Sequence, residues 1–139
     1  MDNVVKSLRI LQVAMLVSIV LYIGILVRLA PQISETPRPV FLIAIMFLSV
    51  LNVGGILVIR RLVVARAEAA LRNNPAHAPA LVRWRAGYIA TYAIAESVAL
   101  FGLVLRFIGF SLAQAAPFFV AALVLILFFG PRRLANAVV

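Results

Sequence analysis

The 139-residue chain contains no cysteine, one histidine and only four acidic residues. Without cysteine there is no disulfide, no thiolate metal site and no cysteine nucleophile. The single His77 stands in Asn73-Asn74-Pro75-Ala76-His77-Ala78-Pro79 with no second ligand-type side chain at metal spacing, so it reads as a solvated loop histidine. No metal and no cofactor is expected. Nucleophile–base pairs, a phosphate loop and a haem-type histidine pair are also missing. Catalysis needs such groups within hydrogen-bond reach of one another, so the chain is not expected to be an enzyme.

Charge is scarce as well. Only 12% of residues are charged against 65% hydrophobic, and the mean hydropathy is +1.15. That is far too little polar surface for an ordinary water-soluble domain. What fills the chain instead is four apolar runs, at about 10–29, 40–59, 86–105 and 111–130, each near the ~20 residues that a helix needs to cross a bilayer. No alternating ten-residue pattern of a barrel is present. The expected fold is an all-α integral membrane four-helix bundle, one membrane domain over 1–139, with a basic loop at 60–85. The run after Lys6 and Arg9 also begins like a secretory signal, but it is long for a signal core and lacks a small-x-small cleavage site, so it reads as a retained helix.

The charges bracket these runs. With four crossings, Lys6, Arg9, Arg60, Arg61, Arg66, Arg72, Arg83, Arg85, Arg132 and Arg133 fall on one side and Arg28, Arg38 and Arg106 on the other. The positive-inside rule then predicts cytoplasmic termini and a cytoplasmic central loop, in a bacterial inner membrane. The net charge of +9 is assigned to anionic lipid headgroups at the arginine-rich loop, with no nucleic acid as partner. Within that loop, Glu68 lies four residues before Arg72, and 61–71 predicts a basic, partly amphipathic extension of the second helix that ends at Asn73-Asn74-Pro75. Trp84, between Arg83 and Arg85, is expected at headgroup depth. Pro31, Pro37 and Pro39 mark one external turn; the other, near 109–111, is short enough to demand a tight antiparallel pair.

Glu96 is the only acid in 86–109 and lies about midway between Arg85 and Arg106. An acid at mid-membrane costs roughly 2.5 kcal/mol or more if it stays charged and unpaired. It is therefore either an ion or proton site or a hydrogen-bonded structural group. The other polar residues at that depth are Ser18, Tyr22, Ser49, Asn52, Thr91, Tyr92, Ser97 and Gln114. Asn52 is the expected donor to Glu96, with Tyr92, one turn away on the same helix, as another. Small residues form two stripes on the third helix, Ala86, Ala90, Ala93 and Ser97, and Ala95, Ala99 and Gly102, which suit close helix packing within the chain or with a partner. Phe118, Phe119, Phe128 and Phe129 predict a lipid-facing fourth helix.

Ala95-Glu96-Ser97-Val98-Ala99-Leu100-Phe101-Gly102-Leu103-Val104 resembles the second helix of the c subunit, the proteolipid of rotary ATP synthases, and Arg72-Asn73-Asn74-Pro75 is similar to that family's polar loop. The resemblance covers residues 40–109. Phe41, Met46 and Phe47 stand where the family's first helix carries its glycine repeat. The resemblance implies a c-like homo-oligomer in which Glu96 carries H⁺ or Na⁺, with Asn52, Tyr92 and Ser97 as supporting ion-binding groups and Arg72, Asn74 and Pro75 as the loop that meets partners. Small multidrug transporters share the four helices and lone glutamate, but their acid lies in the first helix, which has none here. The alternative is a non-transporting structural or accessory subunit of a larger membrane complex.

Overall fold

The computed structural model describes residues 2–28, 38–74 and 76–131, and every regular element among them is helical. Helix α1 spans Asp2–Arg28 and α2 spans Pro39–Ile59. Pro39 sits in the first turn of α2, where its missing N–H has no intrahelical partner to lose. The proline-bounded connection between them, along with Arg132 and Arg133, lies outside the described residues.

Helix α2 does not stop at the basic residues. It passes through a π-helical turn, Arg60–Val64, into α3 at Ala65–Asn73, giving a continuous rod of 35 residues. The Ala65 N–H donates to the Arg60 carbonyl, five residues back, so one extra residue is taken into the turn. The expected basic extension is thus present. The expected loop at 60–85 is not: its middle shrinks to a turn around Asn74–His77, because both ends of that turn are capped. The Asn74 N–H donates to Ala70, its Oδ1 accepts from the Ala76 N–H at 3.1 Å, and His77 Nδ1 accepts from the Ala80 N–H at 3.2 Å. Capped by His77 and carrying Pro79 in its first turn, α4 starts at Ala78 rather than 86 and runs to Ile108.

The end of α4 is equally explicit. Gly109 adopts φ 110°, the left-handed region, while Phe110 donates to the Leu105 carbonyl and Gly109 to that of Arg106. Ser111 then caps α5, Leu112–Phe128: its Oγ accepts from the Gln114 N–H, and the Gln114 side chain accepts from the Ser111 N–H. The tight antiparallel pair expected from the sequence is formed, and Gln114 acts as a cap. Gly109→Ala should cost about 1–2 kcal/mol through its Cβ in a left-handed conformation. Thermal unfolding in detergent checks this.

Helix α4 is the hub, in contact with α1, α2, the π-helical turn, α3 and α5. Its buried residues, among them Trp84, Tyr88, Tyr92, Ala95, Ala99 and Gly102, recur at three- and four-residue intervals. The stripe Ala95, Ala99 and Gly102 is buried, and at Gly102 it meets α5. A Cβ on Gly102 would lie 2.9 Å from the Phe119 ring, 3.0 Å from Phe118 Cβ and 3.1 Å from the Ala115 carbonyl. In the other stripe Ala86 and Ala93 are exposed. Phe118 and Phe119 are therefore buried rather than lipid-facing, while Phe128 does face outward. Trp84 is also a correction: it is fully buried, edge-on to Tyr88 at 5.0 Å, and its Nε1 donates to Glu68 Oε1 at 3.2 Å. The fold-back of α3 along α4 supplies both the cover and the acceptor.

The outside of the bundle is apolar. Val40, Ile43, Phe47, Val50, Leu51 and Val58 of α2 are all more than half exposed. An apolar exterior over helices whose backbone groups are paired internally is what lipid requires of a protein. Three helices, Asn3–Arg28, Pro39–Asn73 and Ala78–Ile108, are long and apolar enough to cross a membrane. At 17 residues, α5 is apolar but shorter, about 25 Å at 1.5 Å per residue.

Candidate functional site

Glu96 and Ser97 are successive residues of α4, so their side chains leave the helix about 100° apart. Each ties α4 to a different neighbour. Toward α1, Glu96 Oε1 accepts from Ser18 Oγ at 2.7 Å and from the Tyr22 hydroxyl at 3.0 Å. Ser18 and Tyr22 are four residues apart and so lie on one face of α1, one turn above the other, which lets both reach a single oxygen. Toward α2, Asn52 Nδ2 donates to Ser97 Oγ at 2.9 Å, and Ser97 Oγ donates in turn to the Ile94 carbonyl at 2.7 Å. The result is a partly buried polar belt across α1, α4 and α2.

The belt differs from the sequence expectation in its partners. Asn52 and Ser97 are brought together, but Asn52 does not donate to Glu96. Tyr92 does not either: its hydroxyl donates to the Phe129 carbonyl at 3.4 Å, and its ring lies 6.2 Å from that of Tyr88. The two donors that Glu96 does have, Ser18 and Tyr22, were visible as polar residues at membrane depth. Their four-residue spacing on an aliphatic helix was the signal that they serve one acceptor.

A second polar layer closes the C-terminal end of α5, whose last carbonyls have no intrahelical donor. Gln12 Nε2 donates to the Ile126 carbonyl at 2.9 Å, and Tyr92 serves Phe129. Arg60 is stacked between two rings, its guanidinium carbon 4.8 Å from the Tyr88 centroid and 4.6 Å from that of Phe129, with Nη2 donating to the Tyr88 hydroxyl at 3.4 Å. A cation over aromatic faces near a helix C-terminus is favoured twice, by the ring quadrupoles and by the helix dipole.

Of the residues assigned to a partner loop, Arg72 is exposed in the last turn of α3, and the side chain of Asn74 is engaged in its own turn. Pro75 lies outside the described residues. His77 is exposed, as expected, and caps α4 in addition. Among the described residues no group of three or more His, Cys, Asp or Glu could hold a metal ion. Chemically, then, the belt offers one carboxyl group, three hydroxyls and one amide. Compared with known proteins, the chain matches no family model, no characterised protein and no solved structure.

Proposed function

We propose that the chain is a non-transporting structural or accessory subunit of a membrane complex, in which Glu96 is an internal hydrogen-bonding post. One observation carries this reading: both donors to Glu96 come from α1 of the same chain. With Oε1 held by two donors of its own chain, Glu96 ties α1 to α4 without a neighbouring copy. The exposed apolar face of α2 and the outward Ala86 and Ala93 are then left for lipid and for partner helices. In this reading α5 makes a fourth crossing, with both termini and the α3–α4 turn on the cytoplasmic side, in keeping with the distribution of arginines. Its short span is accommodated by local thinning of the bilayer.

The second reading, a c-like proteolipid carrying H⁺ or Na⁺ on Glu96, draws on the incomplete burial of that side chain and on the hydroxyls around it. Reconstitution in proteoliposomes with a pH-sensitive dye separates the two. The structural reading predicts no flux attributable to Glu96, no carbodiimide labelling of Glu96 that Na⁺ blocks, and an unchanged copy number in Glu96→Gln. Proton or Na⁺ movement in the parent chain that vanishes in Glu96→Gln, with a closed homomeric ring, would establish carriage instead.

A further inference from the structure

Between the π-helical turn with α3 on one side and the first turns of α4 on the other lies a cleft of about 470 Å³, lined by Leu62, Val63, Arg66, His77, Pro79 and Arg83 among others. Two arginines from different helices line it, Arg66 on α3 and Arg83 on α4, and among the described residues no acid does. The acid nearest in sequence, Glu68, is turned to the Trp84 indole. His77 adds a third donor of defined tautomer. Its Nδ1 accepts from the Ala80 N–H, so the neutral ring carries its proton on Nε2. Leu62 and Val63, which belong to the π-helical turn where the apolar rod becomes basic, give the cleft an apolar wall on its α2 side.

From this juxtaposition we propose that the cleft binds a phosphate group, presented by the headgroup of an anionic phospholipid whose acyl chains lie along the apolar rod. Arginine forks match phosphate oxygens, and a basic pocket beside a membrane-spanning helix is the geometry that selects such headgroups. The inference rests on the membrane location of the helices and is independent of the role assigned to Glu96.

The test is native mass spectrometry of the full chain released from detergent, titrated with phosphatidylglycerol, with phosphatidylcholine and with inorganic phosphate. Arg66 and Arg83 are exposed, so Arg66→Gln with Arg83→Gln should fold normally, which circular dichroism confirms independently. The parent chain should bind phosphatidylglycerol at least roughly tenfold better than phosphatidylcholine, and the double variant should lose roughly 10- to 30-fold. Arg9→Gln with Arg85→Gln removes the same charge outside the cleft and should stay within about threefold of the parent, because one lipid molecule senses local contacts more than net charge. His77→Ser keeps a capping oxygen and should show a smaller loss than the arginine pair. Equal losses in both double variants, or none in either, would overturn the site. Displacement of the lipid by millimolar inorganic phosphate would keep the phosphate site and overturn its lipid source.

Discussion

Gly102→Leu is expected to separate α4 from α5 and to lower stability by about 1–3 kcal/mol, the usual range for overpacking a filled core. The reason is local. The first added carbon already lies 2.9 Å from the Phe119 ring and 3.1 Å from the Ala115 carbonyl. The ring could swing aside at some cost, but the carbonyl belongs to the α5 backbone and moves only with the helix. Gly54→Leu supplies the control, because a Cβ there meets nothing within 4 Å. Thermal unfolding in detergent should therefore show a clear drop for Gly102→Leu and almost none for Gly54→Leu. Equal behaviour of the two would mean that α4 and α5 do not pack through Gly102.

Glu96→Ala should be the other costly substitution. It removes the acceptor shared by Ser18 and Tyr22 and leaves two half-buried hydroxyls without it, at a cost of up to about 1–3 kcal/mol, the value for a buried unsatisfied group. Glu96→Gln keeps a carbonyl oxygen at the same reach and should retain most of the stability. The ordering is the prediction: parent and Glu96→Gln close together, Glu96→Ala well below, read as loss of folded protein during heating or during titration with a denaturing detergent. If Glu96→Ala were as stable as Glu96→Gln, the carboxyl would not be holding α1.

The helical membrane character was legible in the sequence because lipid imposes it through composition and run length alone. The short α4–α5 turn was legible for a similar reason: two helices joined through Gly109 have no room for any arrangement but an antiparallel pair. What could not be read was which face of each helix meets which neighbour. Counting depth along the chain correctly brings Asn52 and position 96 near one level, yet a single 100° step passes the contact from Glu96 to Ser97. Trp84 misled for a related reason. An indole between two arginines beside an apolar run has the local appearance of an interfacial anchor, and only the fold-back of α3 reveals that Glu68 and Tyr88 enclose it. Phe118 and Phe119 looked lipid-facing because the space left by Gly102 on another helix is not visible from α5 itself.

The polar belt also explains why α4 tolerates an acid. A carboxyl at mid-bundle with two hydroxyl donors has the partners that lipid would not supply. On the adjacent face of the same helix, Ser97 donates to the Ile94 carbonyl while accepting from Asn52, so neither polar residue of the pair is stranded. The hub helix is thus fixed to α1 and α2 by hydrogen bonds and to α5 by close packing, two different means suited to the side chains each partner presents.

Glu96 joins α1 to α4 within one chain, and a double-mutant cycle between Glu96→Ala and Tyr22→Phe measures that link. Tyr22→Phe removes only the donor hydroxyl, so the cycle isolates its bond to Glu96. A favourable coupling is expected, about 0.6 kcal/mol on the average for hydrogen bonds between membrane helices and at most about 1.7. Strictly additive losses, with no coupling between the two positions, would contradict it.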